Sequence, residues 1–268
     1  MEFVRNSMAW FFLFFLVFWV GGAFGSFLAV VMVRLHEKRS PCIGRSSCGT
    51  CRKAILWRDN IPIFSFFLLR GKCRFCQAPI PEIHPIVEIL VAFAFVGIMV
   101  SLLFPVAYRW DIVWYEFCLL LLLLFIALYD AWYGEIFYWS TFVPAGLLFG
   151  ISLWRGWFPW ESLILGILVG GGWFLAQYLF SHGQWVGGGD IGLGILMGVV
   201  LGWPGILFAL LLSYIVGGLC ALCLVILKRK TLQGTLPFAP FLVLGTIVVF
   251  FFQSSFTQWF IFSFISKP

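Results

Sequence analysis

The stretch Gly187-Gly188-Gly189-Asp190-Ile191-Gly192-Leu193-Gly194-Ile195-Leu196-Met197-Gly198-Val199-Val200-Leu201-Gly202 decides the fold. It is an apolar run headed by a single carboxylate. Asp190, Gly194, Gly198 and Gly202 recur every four residues and so share one face of a helix. Small residues at that spacing let a second helix approach closely inside a membrane. The run therefore reads as a membrane helix whose acid faces protein, not lipid. Trp203-Pro204-Gly205 ends it, and the 13 residues from Ile191 to Trp203 rise about 20 Å at 1.5 Å each. A hydrocarbon core is about 30 Å thick, which puts Asp190 below the surface, within the membrane profile.

Composition agrees. The chain has 268 residues, 62% hydrophobic and 10% charged, where soluble domains carry about 25% charged residues. Apolar runs near 8–33, 86–107, 112–129, 137–154, 161–181, 190–203, 206–227 and 237–263 predict an all-α polytopic membrane protein of about eight transmembrane helices. The first run is too long for a signal-peptide core and has no small-residue cleavage site after it, so it is expected to stay as an anchor. Ten of the 17 Lys/Arg lie between Arg34 and Arg74, and Lys228-Arg229-Lys230 adds three. Basic residues collect in cytoplasmic loops, so these segments are expected in the cytoplasm and both termini outside. The net charge of +6 thus reports topology. No nucleic-acid partner is expected, because few aromatics interleave the basic residues as stacking requires. The expected partner is the lipid bilayer.

Asp130 ends the third run on the same side and at similar depth as Asp190. Two carboxylates meeting in a low-dielectric site share one proton, so one can act as base on a water while the other donates to a carbonyl. The alternative is that each caps a helix or meets water at the interface. Gly187, Gly188 and Gly189 leave the backbone before Asp190 bare enough for another chain to come close. This GxGD pattern resembles the signature of presenilin-like and prepilin-peptidase-like proteases.

Cys48-Gly49-Thr50-Cys51 and Cys73-Arg74-Phe75-Cys76 are two CxxC pairs separated by 21 residues. In a reducing loop that spacing fits a closed all-thiolate zinc site of Cys48, Cys51, Cys73 and Cys76, structural because four thiolates leave no open position. Disulfides are the competing reading. Cys42 is spare; Cys118, Cys220 and Cys223 read as packing residues. His36, His84 and His182 share no ligand spacing.

Over nearly its whole length the chain resembles the type IV prepilin peptidase family. Gly25-Ser26-Phe27-Leu28 through Val33-Arg34-Leu35 is similar to the family's amino-terminal motif. Arg58-Asp59-Asn60-Ile61-Pro62 and Gly71-Lys72-Cys73-Arg74 are similar to its zinc-loop core, and Pro85-Ile86-Val87-Glu88 to the end of that loop. Pro237-Phe238-Ala239-Pro240-Phe241 matches a motif before the last span. The resemblance implies removal of a basic leader from prepilin and pseudopilin precursors at the cytoplasmic face of a bacterial cell membrane. Asp130 and Asp190 are then catalytic, with Gly187 and Gly189 in the active-site loop. It also implies zinc on the four cysteines, and methylation of the new amino terminus from S-adenosyl-methionine through the cytoplasmic loop. Three segments depart from the family: Ala131-Trp132-Tyr133 follows Asp130, Gly192 follows Asp190 by two, and Ile83-His84 precede Pro85. On this reading the chain comprises a first transmembrane helix (1–33), a zinc-binding loop domain (34–85) and a helical membrane domain with the protease site (86–268). Rival readings are a presenilin-like protease, a proton-coupled transporter regulated by the zinc loop, and a structural assembly factor. The four-cysteine loop, and the lack of a Pro-Ala-Leu motif near the carboxyl terminus, speak against the first.

Overall fold

Apolar runs of this length can satisfy their backbone in lipid only as helices, and the computed structural model is all-helical. It describes residues 2–41, 44–103, 110–228 and 236–260. Cys42, Arg229, Lys230 and Lys267 lie outside them. The elements are α1 (Glu2–His36), a short α2 (Phe64–Leu68), α3 (Ile83–Leu103), α4 (Trp110–Tyr133), α5 (Tyr138–Arg155), α6 (Trp160–Ser181), α7 (Gly188–Ile226) and α8 (Ala239–Phe260). Among the described residues five helices are long and apolar enough to cross a membrane: Trp10–His36, Ile83–Val100, Trp114–Tyr133, Trp160–Ser181 and Gly188–Ile226. The fold is that of an all-α polytopic membrane protein.

The difference from the expected eight has identifiable sources. The expected sixth and seventh spans run on as α7, broken by non-helical Gly202 (φ 59°, ψ −170°) and Trp203 (φ −91°, ψ 138°). Only glycine adopts the first of these conformations readily. Helix α5 carries Ser140, Thr141, Pro144 and Ser152 among its apolar residues, and the apolar part of α8 covers Ala239–Phe252. At the α7 break the backbone loses helical partners where lipid offers none. Ser162 on α6 supplies both, donating to the Trp203 carbonyl (3.0 Å) and accepting from the Trp203 amide (2.9 Å).

The chain forms two compact units, residues 1–125 and 126–268. In the first, α1 packs on α3 through small residues. A Cβ added at Gly21 would lie 2.8 Å from the Ala92 Cα, and one at Gly25 would lie 2.6 Å from the Glu88 Cα. Ring contacts Phe24–Phe117 and Phe95–Phe117 fill the space beside them. In the second unit α7 is the central element, packing on α5, α6 and α8. Gly194 and Gly198 do lie on a close helix contact, as their spacing predicts. Their partners are Gly170 and Gly166 of α6, antiparallel to them.

Candidate functional site

In the second unit, Ile126 to Tyr129 are all buried and carry α4 inward to Asp130, itself only 7% exposed. One carboxylate oxygen of Asp130, Oδ2, accepts a hydrogen bond from the Ala239 amide (3.1 Å), the first residue of α8. Four residues on, Gly134 at φ 67° turns the chain out of α4 and towards α5. Asp190 sits three residues into α7, half-buried. Its Oδ2 reaches back to accept from the amide of Gly187, the residue that caps the helix (3.0 Å).

The glycines before Asp190 make room for the start of α5. A Cβ at Gly188 would fall 2.6 Å from the Tyr138 hydroxyl, and one at Gly189 2.6 Å from the Ile136 Cβ. Gly192 lies against Thr141, which is fully buried. The carboxyl end of α4 and the amino ends of α5, α7 and α8 thus converge. Asp130 and Asp190 both lie at this convergence of helix ends. Each acid keeps one oxygen on a backbone amide at a helix amino terminus, where anions are favoured. The amides of Gly187 and Ala239 carry no side-chain signature. The motif Pro237–Phe241 was the only trace of the second.

In the first unit, Cys48, Cys51, Cys73 and Cys76 place their sulfurs within 4.8 Å of one another. At a zinc–sulfur distance of about 2.3 Å, a tetrahedron has sulfur–sulfur edges of about 3.8 Å. The Cys48–Cys76 separation is 3.8 Å, so the cluster can hold a metal ion such as zinc. The cysteines are free, and none is in a disulfide. Cys118, Cys220 and Cys223 lie outside the cluster.

Two copies of one backbone knuckle build this site. In the first, the Cys48 amide donates to the Lys53 carbonyl, Arg52 to Cys48 and Ile55 to Ser46. In the second, Cys73 donates to Ala78, Gln77 to Cys73 and Ile80 to Gly71. Each bond recurs 25 positions on, and Arg52 (φ 56°) and Gln77 (φ 58°) share the left-handed turn after the second cysteine. The amides of Cys51 and Thr50 pull the Cys48 thiol down to about 6, towards the thiolate a metal needs. Arg74 clamps Asp59 through three contacts of 2.6–3.1 Å, which holds that carboxyl below the usual range. The loop meets α3 at Glu88, whose carboxylate accepts from the Ile63 amide (2.6 Å). Ile63 has φ 63° and ψ −55°, a strained turn for a β-branched residue that nothing in the sequence signalled.

A cavity of about 620 Å³ lies among the knuckles and the facing parts of α1 and α3, with Arg34, Asp59, Phe66, Phe75 and Glu88 on its wall. Arg34 closes one side by donating to the carbonyls of Pro41, Gly44 and Arg45.

Comparison with known proteins matches two stretches of the chain to family models. Residues 19–102, which include the four cysteines, match the bacterial peptidase A24 amino-terminal domain. Residues 117–222, which include both aspartates, match the type IV leader peptidase family. A prepilin leader peptidase/N-methyltransferase of Aeromonas hydrophila is 30% identical over 233 residues, covering 83% of this chain and 77% of the relative. A type 4 prepilin-like proteins leader peptide-processing enzyme of Escherichia coli O78:H11 is 33% identical over 235 residues, 84% and 82% of the two chains. A prepilin leader peptidase/N-methyltransferase of Bacillus subtilis is 29% identical over 257 residues, 92% and 97% of the two. No solved structure matches. With two family models falling in order along the chain and relatives of this extent, the chain belongs to the type IV leader peptidase family.

Proposed function

We propose that this protein is a membrane-embedded aspartyl endopeptidase that removes the leader peptide of prepilin and pseudopilin precursors, with Asp130 and Asp190 as its catalytic pair. The observation that carries the reading is the convergence of the helix ends that bear these two acids, sixty positions apart in the chain and both inside the stretch that matches the family's peptidase model. The presenilin-like and transporter readings have no comparable support.

The pair holds one proton between its carboxyl groups, because two adjacent carboxylates in a low-dielectric site do not both ionise. The ionised partner takes a proton from a water, whose oxygen attacks the scissile carbonyl carbon. The protonated partner gives its proton to the carbonyl oxygen. As the tetrahedral adduct collapses, the leaving nitrogen takes the proton now on the pair while one hydroxyl of the adduct gives its proton to the ionised partner, and the one-proton state returns. Gly187 keeps Asp190 oriented through its amide, and Gly189 admits the start of α5. The site faces the cytoplasm of a bacterial cell membrane, on the side where basic loops collect, so the precursor's basic leader stays in water while its apolar helix remains in lipid.

Zinc on Cys48, Cys51, Cys73 and Cys76 closes the 34–85 loop domain, which lacks a large core of its own, and contributes folding energy. We expect one zinc per chain by elemental analysis of the purified protein. Cys73→Ser should reduce it to less than a tenth of that and make the loop several times more sensitive to trypsin. A full complement of zinc in that variant would remove the site.

Methyl transfer to the new amino terminus is the second activity of this reading. The cavity in the first unit has the volume and mixed lining of a small-molecule site, with Phe66 and Phe75 for an adenine ring and Glu88 for a cationic sulfonium. Arg34, Phe66, Phe75 and Glu88 would hold S-adenosyl-methionine, which supplies an electrophilic methyl group. Mass analysis of a pilin-like precursor co-expressed with the protein tests both activities. The expected product lacks its leader and carries one added methyl group. An uncut precursor would overturn the peptidase reading, and a cut but unmethylated one the methyl transfer.

A further inference from the structure

The amino end of α8 touches Asp130 directly, and its sequence is arranged around a single donor. Phe238 precedes the helix, Ala239 is its first residue and Pro240 its second. A helix begins with amides that have no partner within it. Here the Phe241 and Leu242 amides both turn back to the Phe238 carbonyl (3.0 and 3.2 Å), and Pro240 has no amide hydrogen. That leaves the Ala239 amide as the donor the first turn offers. It points at Asp130, 109 residues away in sequence and more than nine-tenths buried.

We infer that the Ala239 amide is a positioning group for the catalytic pair: it fixes Asp130 by its Oδ2 and leaves Oδ1 to share the proton with Asp190. The inference rests on the reading of Asp130 and Asp190 as that pair. The two acids are held differently. Asp190 takes its amide from its own helix cap at Gly187, three residues away, whereas Asp130 depends on a separate helix. Pro240 removes an amide that would compete for the carboxylate, and Pro237 stiffens the approach. The motif Pro237–Phe241 thereby acquires a role through a backbone group. Phe238 anchors the turn, with its ring 5.0 Å from that of Tyr214 on α7 and packed over Gly217.

The test removes one hydrogen. Proline is at home in the first position of a helix, so Ala239→Pro deletes the donor while α8 keeps a start it tolerates. Incorporating lactic acid at position 239 replaces the amide N–H by an ester oxygen and adds no bulk, which covers the case in which the proline variant fails to fold. Each is assayed for precursor cleavage per folded molecule, beside Ala239→Gly, which keeps the donor. A lost hydrogen bond to a charged group corresponds to about a 10- to 100-fold fall in kcat, with KM within twofold. Ala239→Gly should stay within threefold of the parent. A folded ester variant with undiminished kcat overturns the inference, as does an Ala239→Gly variant that fails as badly as the ester. Asp130→Asn is run in parallel. If it cleaves normally, the catalytic pair itself is wrong. If it is inactive while the ester variant is fully active, only the role of Ala239 falls.

Discussion

Asp130→Asn and Asp190→Asn are each expected to lower precursor cleavage by 10³-fold or more, to below detection in an ordinary gel assay, with the membrane fold retained. General acid and base steps are each worth about 10²–10⁴ in rate. An amide can neither accept the water's proton nor return it to the leaving nitrogen. In the proposed mechanism the two acids act as one proton-sharing unit, so the double variant should be no slower than either single one, a non-additivity that two independent caps would not show. Asparagine keeps the shape and an acceptor oxygen, so the amides of Ala239 and Gly187 retain partners. Melting in detergent should therefore move by only a few degrees. Cleavage at the parental rate by either variant removes that residue from the mechanism. Equal loss of activity and of folded protein would reassign the acids as structural.

Much of this arrangement was legible because its signals are local. Thiols two residues apart announce a metal knuckle wherever they fall, and four of them do lie together. The duplication of the knuckle was not legible. Of the ten residues in 46–55 and 71–80 only the two cysteines and a final isoleucine recur, because the repeat lives in backbone hydrogen bonds and in the turns at Arg52 and Gln77. The face shared by Gly194 and Gly198 could be read from its period, and its partners carry the same signal in Gly166 and Gly170, which pass unnoticed when one helix is read alone. Hydropathy divided α7 at Pro204-Gly205, whereas the backbone breaks at Gly202 and Trp203 and the helix resumes through the proline. The hold on Asp130 was least accessible. A donor that is a main-chain amide, 109 residues off, leaves no side-chain chemistry to find. The same is true of Ile63, whose positive φ contradicts its residue type and is sustained by Glu88 from another helix.

The contact of α6 with α7 should be the least forgiving packing in the second unit, and Gly198→Val should show it. A Cβ there would fall 2.7 Å from the Ile167 amide nitrogen and against the Gly166 carbonyl; one at Gly194 would fall 2.9 Å from the Gly170 carbonyl carbon. These neighbours are main chain, so no rotamer change relieves them and the helices must separate. Valine has the better intrinsic helix propensity by a few tenths of a kcal/mol, a gain far below the cost of the clash. Overpacking costs about 1–3 kcal/mol even where side chains can shift. In lipid the separated helices lose van der Waals contact with no apolar burial to offset it. We expect Gly198→Val to lower stability by about 3 kcal/mol or more in reversible unfolding from micelles, at the top of the range for single substitutions. Cleavage should fall with it, because α7 carries Asp190 two turns earlier on the same face. Gly172→Val is the control on α6, since a Cβ there meets nothing within 4 Å, and it should change stability by less than about 0.5 kcal/mol. Equal damage from both, or none from Gly198→Val, would show that close approach of these two backbones does not hold Asp190 in place.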